Sequence, residues 1–515
     1  MSDDSRIEDR DPVSSAGPPG SMKRKLAAGA GWMTALQLAS RVIEVGFIAV
    51  LARILFPADF GVIAGATIFI QFATLLVDIG IGATIVQIPG LTRNDIRTAG
   101  TLVALNGLGY FLLAQLFAPL AGSFMRMEAL TDVIRVLALV FIVQSFGIVP
   151  ENLLVRRLDA RRVMIAQLVA RVVGTGGVGI LLAWAGWGYW SLVAATLAEA
   201  TFKALWLIAI VRPPMRPLLT REGAKRLMRR GAGFSVAQVI NFFALRANNV
   251  VVGRTMDAAA LGLYSRAFNL MSVPSDLYSR IAERLVFPAM AQVQDDPVRL
   301  RSAFLRGTEL TAVVGMPMSA LLAVLAPEII DFILGNRWAA VIGPFAILCA
   351  ASYFRLGAKI GGSLQRAKAA TGAMITNQIV YATMIIGGAL IAYPYGINAV
   401  AVSGSLAVVA FYGIVNFNAC RIAGVSLGDF VGSHGNGALV ALLVTVCVFP
   451  VVLLLRQADA PTLVKLCVTG AVLAVVGLIL FWQRPRWLLG EFVVSLLDSA
   501  AKAVGRIGRR RSATS

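Results

Sequence analysis

Long apolar runs separated by short polar stretches dominate the chain. Each run is close to the roughly 20 residues that an α-helix needs to cross the hydrocarbon core of a bilayer. The runs lie at 27–52, 60–79, 98–122, 132–150, 163–184, 189–211, 233–253, 258–286, 307–326, 339–358, 369–393, 396–418, 436–456 and 463–483. The pattern predicts an all-α polytopic membrane protein with about 14 transmembrane helices.

Composition agrees with this fold class. Of the 515 residues, 58% are hydrophobic and only 14% are charged, and the mean hydropathy is +0.77. A soluble domain has too few polar residues to cover so much apolar surface. The net charge of +20 fits lysines and arginines that hold cytoplasmic loops in place. A nucleic-acid partner is therefore not expected.

Positive charge collects in every second loop, which predicts the orientation of the chain. If the N-terminus is cytoplasmic, the basic residues on that side are Arg93, Arg97, Arg156, Arg157, Arg161, Arg162, Arg212, Arg216, Arg221, Lys225, Arg226, Arg229, Arg230 and those of the tail up to Arg511. The opposite side keeps only scattered basic residues. The positive-inside rule then places both termini in the cytoplasm.

The longest internal polar stretch, residues 212–232, divides the apolar spans into two groups. It is basic and amphipathic, and is expected to lie on the inner membrane surface beside anionic lipid. The predicted organisation is a disordered tail (1–22), an N-lobe of six helices (23–211), the basic linker (212–232), a C-lobe of six helices (233–421), two further helices (422–483) and a basic tail (484–515).

A weak internal repeat supports two lobes. LARILFPADFGV (51–62) aligns with VGRTMDAAALGL (252–263), matching Arg53 with Arg254 and Gly61 with Gly262. Two halves of this kind would be related by a pseudo-two-fold axis along the membrane normal, with a site between them near the midplane.

Several charged residues lie inside the apolar spans, where an unpaired charge is costly and marks a candidate functional position. Glu199 and Lys203 are four residues apart and are expected to neutralise each other, as are Asp276 and Arg280. Arg41 has only Glu44 nearby on its own helix. No acid lies at helical contact spacing from the remaining candidates, Arg246, Arg266 and Arg355.

The surplus arginines predict a cationic cavity. A guanidinium suits phosphate because its planar donors can hold two oxygens at once, so the expected ligand bears phosphate. Pro274 lies between Arg266 and Arg280 and is expected to bend its helix, as moving transporter helices often require.

Motifs of enzymes are absent from the sequence. There is no GxxxxGK[ST] nucleotide loop, and the single histidine, His434, belongs to no HExxH or triad-like pattern. Because the predicted outer loops are also short, the chain is expected to be a transporter, with no catalytic residues, metal site or cofactor.

Four segments resemble the polysaccharide transport family of bacterial inner-membrane flippases, within the multidrug/oligosaccharidyl-lipid/polysaccharide superfamily. They are LVRRLDARRVMIAQL (154–168), GWGYWSLV (186–193), YSRAFNLMSVPSDLYSRIAERLVFPAM (264–290) and QDDPVRLRSAF (294–304). The resemblance implies a two-lobed helical fold like that of multidrug (MATE-like) transporters. It also implies export of an oligosaccharide linked through pyrophosphate to undecaprenol, for exopolysaccharide, O-antigen or capsule.

The resemblance also implies roles for individual residues. Arg41, Arg246, Arg266 and Arg355 would contact pyrophosphate or acidic sugar. Apart from the resemblance, the candidate coupling or gating residues are Glu44, Asn248, Pro274 and Arg280. Asn248 departs from the family pattern, since many relatives have an aspartate there, which weakens a role in ion coupling. Membrane lipids, a polysaccharide polymerase and a co-polymerase are the further implied partners.

Three other functions stay open. A drug or cation antiporter of the same superfamily would favour buried acids over arginines. A membrane glycosyltransferase or polymerase would need an acidic or histidine site on a long outer loop. A scaffold without transport activity would tolerate replacement of the arginines.

Overall fold

The computed structural model describes residues 19–77, 81–88, 90–214, 216–220, 235–483 and Val494. All the regular elements in these ranges are helices. The chain forms two compact units, Met1–Gly262 and Leu263–Ser515. The helix Ser235–Thr255, predicted to begin the second lobe, thus belongs to the first unit. Much of the predicted linker 212–232 and of the tails 1–22 and 484–515 lies outside the described residues, and the lobe boundaries stay a prediction.

The first unit consists of long helices joined by short turns. Its elements are α1 (Pro19–Ile54), α2 (Pro57–Val77), α3 (Ile81–Gln87), α4 (Arg93–Met125), α5 (Glu128–Leu137), α6 (Leu139–Arg156), α7 (Ala160–Arg171), a π-helix (Val172–Gly179), α8 (Ile180–Trp184), α9 (Tyr189–Val211) and α10 (Ser235–Thr255). Helix α6 packs between α4 and α9, and α10 packs along α2. Thr92 and Asp95 form a capping box that fixes the start of α4. Helix α1 begins at Pro19, inside the predicted tail.

The second unit is also wholly helical over its described residues. Its elements are the greater part of α11 (Ala258–Gln292), then α12 (Pro297–Val324), α13 (Ala326–Ile333), a 3-10 helix (Asn336–Val341), α14 (Ile342–Ala350), α15 (Ser352–Ala367), α16 (Thr371–Ala392), a 3-10 turn (Tyr393–Tyr395), α17 (Ile397–Ala423), α18 (Leu427–Gly432), α19 (Gly435–Gln457) and α20 (Thr462–Gln483). Helix α12 packs against α15 and α19, and α17 packs against α15 and α16.

Among the described residues, 11 helical segments are long and apolar enough to cross a membrane. They confirm the predicted all-α polytopic fold, and they coincide with 11 of the predicted spans. The remaining three spans fall on α1, α10 and α11, whose side chains are described only in part, so the count of 14 is not confirmed. On α4, Leu116 and Leu120 are 71% and 62% exposed, as expected of side chains that face lipid.

The glycines aligned by the internal repeat meet in the first unit, where α2 and α11 begin. A Cβ atom on Gly61 would lie 1.7 Å from the carbonyl oxygen of Ala258, and one on Gly262 would lie 1.9 Å from that of Pro57. Pro57 and Ala258 are themselves equivalent positions of the repeat. The contact is therefore reciprocal, and it requires glycine on both helices because backbone occupies the space of any side chain.

An ion pair between a buried carboxylate and a partly exposed arginine ties α13 to α19 in the second unit. Arg456 donates from Nε to Oε1 of Glu328 at 2.7 Å, and from Nη2 to Oε2 at 2.8 Å and to the Val324 carbonyl at 2.9 Å. Burial alone would raise the pKa of Glu328. The hydrogen bonds and charge of Arg456, together with the charge of Lys465, outweigh burial and hold that pKa below its ordinary value.

We expect Gly262→Ala to lower the free energy of unfolding by about 3 kcal/mol or to prevent folding, because the new methyl group overlaps the Pro57 carbonyl. Gly46→Ala is the matched control, since nothing lies within 4 Å of its Cβ position. It should be neutral or stabilise α1 by up to about 1 kcal/mol. Thermal unfolding of the detergent-solubilised protein measures both, and equal behaviour of the two variants contradicts the close contact.

We expect Glu328→Gln to cost about 2 kcal/mol, because it leaves the partly exposed Arg456 with a neutral partner. In the wild type, the ionised Glu328 carboxylate contributes its full stabilisation of the folded state above the ordinary glutamate pKa of 4.5. This stabilisation is lost as the pH falls through the lowered pKa of Glu328 in the folded protein. The difference in unfolding temperature between wild type and variant should therefore shrink in acid. Asp132→Asn is the control, because its partner Arg135 lies 3.8 Å away and Asp132 is 69% exposed. It should cost less than about 0.5 kcal/mol.

Candidate functional site

Arg41, the first of the predicted ligand-binding arginines, lies in an ion network of the first unit. Its Nη1 atom is 3.0 Å from Oε2 of Glu44, three residues further along α1. The same carboxylate oxygen accepts from Nη1 of Arg171 on α7 at 2.8 Å. Arg171 also donates to the Ser40 hydroxyl at 3.3 Å. One carboxylate oxygen is thus shared by guanidinium groups from two helices.

Arg171 continues the network to α9. Its Nε atom is 3.4 Å from Oε1 of Glu199, and the other oxygen of Glu199 accepts from the Thr175 hydroxyl at 3.3 Å. The network contains two arginines and two glutamates, so it is neutral overall. Arg171 lies within the predicted span 163–184, and no acidic residue lies three or four positions away on its own helix. The ion pairs of Arg171 could not be predicted from helical spacing, because Arg171, Glu44 and Glu199 lie on three different helices.

A π-helix begins directly after Arg171. Its sequence, VVGTGGVG, is rich in glycine, and three of these glycines touch neighbouring helices. A Cβ atom on Gly174 would lie 2.6 Å from the backbone nitrogen of Glu199, and one on Gly176 would lie 2.4 Å from the Phe47 ring of α1. The absence of side chains lets α1 and α9 approach the π-helix and brings their carboxylates to Arg171. π-Helical turns are rare and frequent at functional sites.

The predicted pairing of Glu199 with Lys203 is wrong. Lys203 instead lies 2.8 Å from Glu151 on α6, while Glu199 meets Arg171. The four-residue spacing along α9 allows an ion pair within the helix, but carboxylates and guanidinium groups on facing helices offer closer partners. The second predicted pair, Asp276 with Arg280, is not tested, because the Arg280 side chain lies outside the described residues.

Arg246 and Asn248 lie on α10, also in the first unit. Arg246 is half-buried, and no described residue forms a hydrogen bond or ion pair with its guanidinium. Asn248 and its neighbour Asn249 are 9% and 5% exposed. Two adjacent buried amides are unusual in an apolar helix, which marks this turn of α10 as a candidate functional position.

The remaining predicted arginines lie in the second unit. The guanidinium carbon of Arg355, on α15, is 5.3 Å from the ring centre of Phe268 on α11. Arg266 is two residues from Phe268 on the same helix. Helix α11 runs without interruption through Pro274, which is half-buried. The structure thus brings Arg355 to the helix that carries Arg266.

Sequence reasoning missed a polar cluster built around His434, which caps the start of α19. Its Nε2 atom contacts the hydroxyl of Tyr412, which in turn lies 3.4 Å from the hydroxyl of Tyr353. The Nδ1 atom lies 2.7 Å from the Phe430 carbonyl. The neutral imidazole with a proton on Nδ1 satisfies all these contacts. Only the unusual single histidine could have drawn attention to the cluster.

The described residues contain no group of three His, Cys, Asp or Glu side chains that could hold a metal ion. The charged groups of the site are arginines, glutamates and Lys203, whose chemistry is anion binding and ion pairing.

A family model described as "Polysaccharide biosynthesis protein" matches residues 50–343, which is more than half of the chain. The chain belongs to this polysaccharide biosynthesis protein family. Within the family, a similar protein is the succinoglycan biosynthesis transport protein ExoT of Rhizobium meliloti (strain 1021). It is 27% identical over 313 residues, which cover 60% of this chain and 62% of that protein.

Two solved structures share the fold of this family member. A lipid II flippase, MurJ, in an inward closed conformation superimposes with a TM-score of 0.65 at 11% identity, over 87% of this chain and 98% of MurJ. An inward-facing multidrug resistance MATE transporter of the MOP superfamily gives a TM-score of 0.54 at 18% identity, over 76% of this chain and 94% of the transporter. At these identities the similarity establishes the fold, and it confirms the MATE-like architecture predicted from the sequence.

We expect Gly174→Ala to disturb the ion network, because the added methyl group overlaps the Glu199 backbone. A cost of about 1–3 kcal/mol is expected from overpacking. Gly177→Ala, in the same π-helix, is the matched control, since the only neighbour of its Cβ position is the Val172 carbonyl at 3.9 Å. Thermal unfolding should show a larger loss of stability for Gly174→Ala than for Gly177→Ala. An equal loss in both variants would show that the contact with Glu199 is not the cause.

Proposed function

We propose that this protein is a flippase that moves lipid-linked oligosaccharide units from the inner to the outer leaflet of the bacterial inner membrane. The substrate is an oligosaccharide carried on undecaprenyl pyrophosphate, destined for exopolysaccharide, O-antigen or capsule. Transport proceeds by alternating access and involves no catalytic chemistry. The observation that carries the proposal is the presence of arginines within the apolar helices of a polysaccharide biosynthesis family member.

The chemistry of these arginines suits pyrophosphate. Arg246 has no anionic partner among the described residues. Its positive charge is therefore fully available to attract an incoming phosphate. Arg355 lies over the Phe268 ring at 5.3 Å. A guanidinium stacked on an aromatic ring keeps its N–H donors in the plane, where they can hold two phosphate oxygens. Arg41 and Arg266 complete the proposed set of substrate-binding residues.

The remaining parts of the proposal follow the charge distribution and the relatives. The positive-inside pattern supports cytoplasmic N- and C-termini. The name of the Rhizobium relative, a succinoglycan biosynthesis transport protein, supports a bacterial surface glycan as cargo. Flipped units must then be joined, so a polysaccharide polymerase and a co-polymerase are the proposed protein partners, together with membrane lipids.

A drug or cation antiporter is the second candidate, favoured by the fold shared with the MATE transporter. Such an antiporter needs a carboxylate that is available to a cation. Glu44 and Glu199 both meet Arg171, and Glu151 meets Lys203. The position of Asn248 also carries no charge. These pairings leave none of the three glutamates free for a cation.

We expect Arg246→Ala, Arg266→Ala and Arg355→Ala each to reduce transport about tenfold or more, since each removes charge-assisted hydrogen bonds worth about 1.5–3 kcal/mol. The measurement is the fraction of lipid-linked repeat units on the inner leaflet of cells expressing each variant, with membrane insertion confirmed. Arg299→Ala is the control, because Arg299 is 76% exposed and pairs with Asp296 on its own turn.

Accumulation of the units in the three variants but not in the control supports the proposal. Normal polymer export in all three variants, at normal protein levels, would show that the arginines do not bind substrate. The antiporter would be supported by two results together: the protein exports an organic cation, and cells from which its gene is deleted assemble their surface glycan normally.

A further inference from the structure

The shared oxygen of Glu44 marks an anion position. Oε2 of Glu44 lies 2.8 Å from Nη1 of Arg171 and 3.0 Å from Nη1 of Arg41. The Ser40 hydroxyl is hydrogen-bonded to the same Arg171 nitrogen at 3.3 Å. Two guanidinium groups that converge on one oxygen from different helices form a donor arrangement that suits a phosphate oxygen equally well. Here a carboxylate of the protein fills it.

We propose that Arg41 and Arg171 form a clamp for the phosphate of the lipid-linked substrate, and that Glu44 is the resident competitor that the phosphate displaces. The inference rests on the proposed function. It adds Arg171 as a substrate-binding residue and gives Glu44 a defined task. While Glu44 occupies the clamp, Glu44 and Glu199 together balance the charges of the two arginines without substrate. When a phosphate arrives, its charge repels the carboxylate, and the same two guanidinium groups change partner.

The exposure of the side chains agrees with such an exchange. Arg41 is 44% exposed, Glu44 is 32% exposed and Arg171 is 19% exposed. The clamp therefore has an outer arginine that an incoming phosphate reaches first and an inner arginine that it reaches second. Glu44 contacts both arginines and is itself partly exposed.

Glu199 is the positioning residue of the clamp. Its Oε1 atom lies 3.4 Å from Nε of Arg171, on the opposite side of the guanidinium from the nitrogen that meets Glu44. Its Oε2 atom is held by the Thr175 hydroxyl. Arg171 thus keeps one carboxylate partner and its orientation when Glu44 leaves. Glu44 lies 2.8 Å from Nη1 of Arg171, whereas Glu199 lies 3.4 Å from Nε. Because Glu199 uses a different nitrogen, Nη1 becomes available to the ligand when Glu44 leaves.

The test is binding of undecaprenyl pyrophosphate to the purified full-length protein in lipid nanodiscs, measured by native mass spectrometry or by titration of intrinsic fluorescence. Glu44→Gln should tighten binding about tenfold, because the competing charge is gone, whereas Glu44→Asp should stay close to wild type. Arg171→Gln should weaken binding about tenfold. Arg171→Gln should also remove the gain when it is combined with Glu44→Gln.

Two further glutamates control for net charge. Glu151→Gln removes the same charge from the Lys203 pair of the same unit and should leave binding unchanged. Glu199→Gln removes a charge from Arg171 itself, but it also removes the contact that orients this arginine, so no tightening is expected. Equal tightening in Glu44→Gln, Glu151→Gln and Glu199→Gln would show a general electrostatic effect and overturn the exchange.

The results also separate this inference from the proposed function. If wild type and all variants bind undecaprenyl pyrophosphate no better than undecaprenol, the proposed substrate is wrong. If wild type binds it and Arg246→Ala weakens binding, while folded Glu44→Gln and Arg171→Gln variants bind as wild type does, the proposed function stands and the clamp is wrong. Unfolding temperatures of each variant establish that the proteins compared are folded.

Discussion

A charge inside an apolar helix must meet an opposite charge, an aromatic ring or a ligand, because hydrocarbon cannot solvate it. The packing of the first unit satisfies this constraint around Arg171. Its guanidinium lies between Glu44 of α1 and Glu199 of α9. The helices that carry these carboxylates come close only because the π-helix after Arg171 presents glycines to them. The ion pairs of Arg171 therefore depend on the close packing of these helices.

The second unit satisfies the constraint in two ways. At the end of α19, Arg456 binds Glu328 through two short hydrogen bonds and donates a third to the Val324 carbonyl. On α15, Arg355 lies over the Phe268 ring, which screens one face of the guanidinium and leaves its edge available. The first arrangement holds helices together. The second leaves the hydrogen-bonding edge of the arginine able to bind an anion.

The two kinds of arginine clarify what an exporter of a charged lipid requires. Its binding groups must be strong enough to draw pyrophosphate from the membrane surface and yet stable when no substrate is present. In the proposed exchange, a resident carboxylate such as Glu44 would meet both needs, because it helps to neutralise the site at rest and would be replaced by an anion of higher charge. Binding of this kind exchanges one ion pair for another, and so avoids leaving bare charge in a low-dielectric environment.

The sequence by itself determined the fold class and most of the membrane spans, because length and hydropathy of an apolar run are local properties. The family was indicated separately, by four segments that resemble it. It also identified Arg41, Arg246, Arg266 and Arg355 as unusual. The reciprocal contact of Gly61 and Gly262 gives a physical meaning to a repeat that sequence matching alone left weak. Only the tertiary structure decided which charges pair. The partners of Arg171, Lys203 and Tyr412 lie on other helices, at sequence separations that no helical periodicity relates.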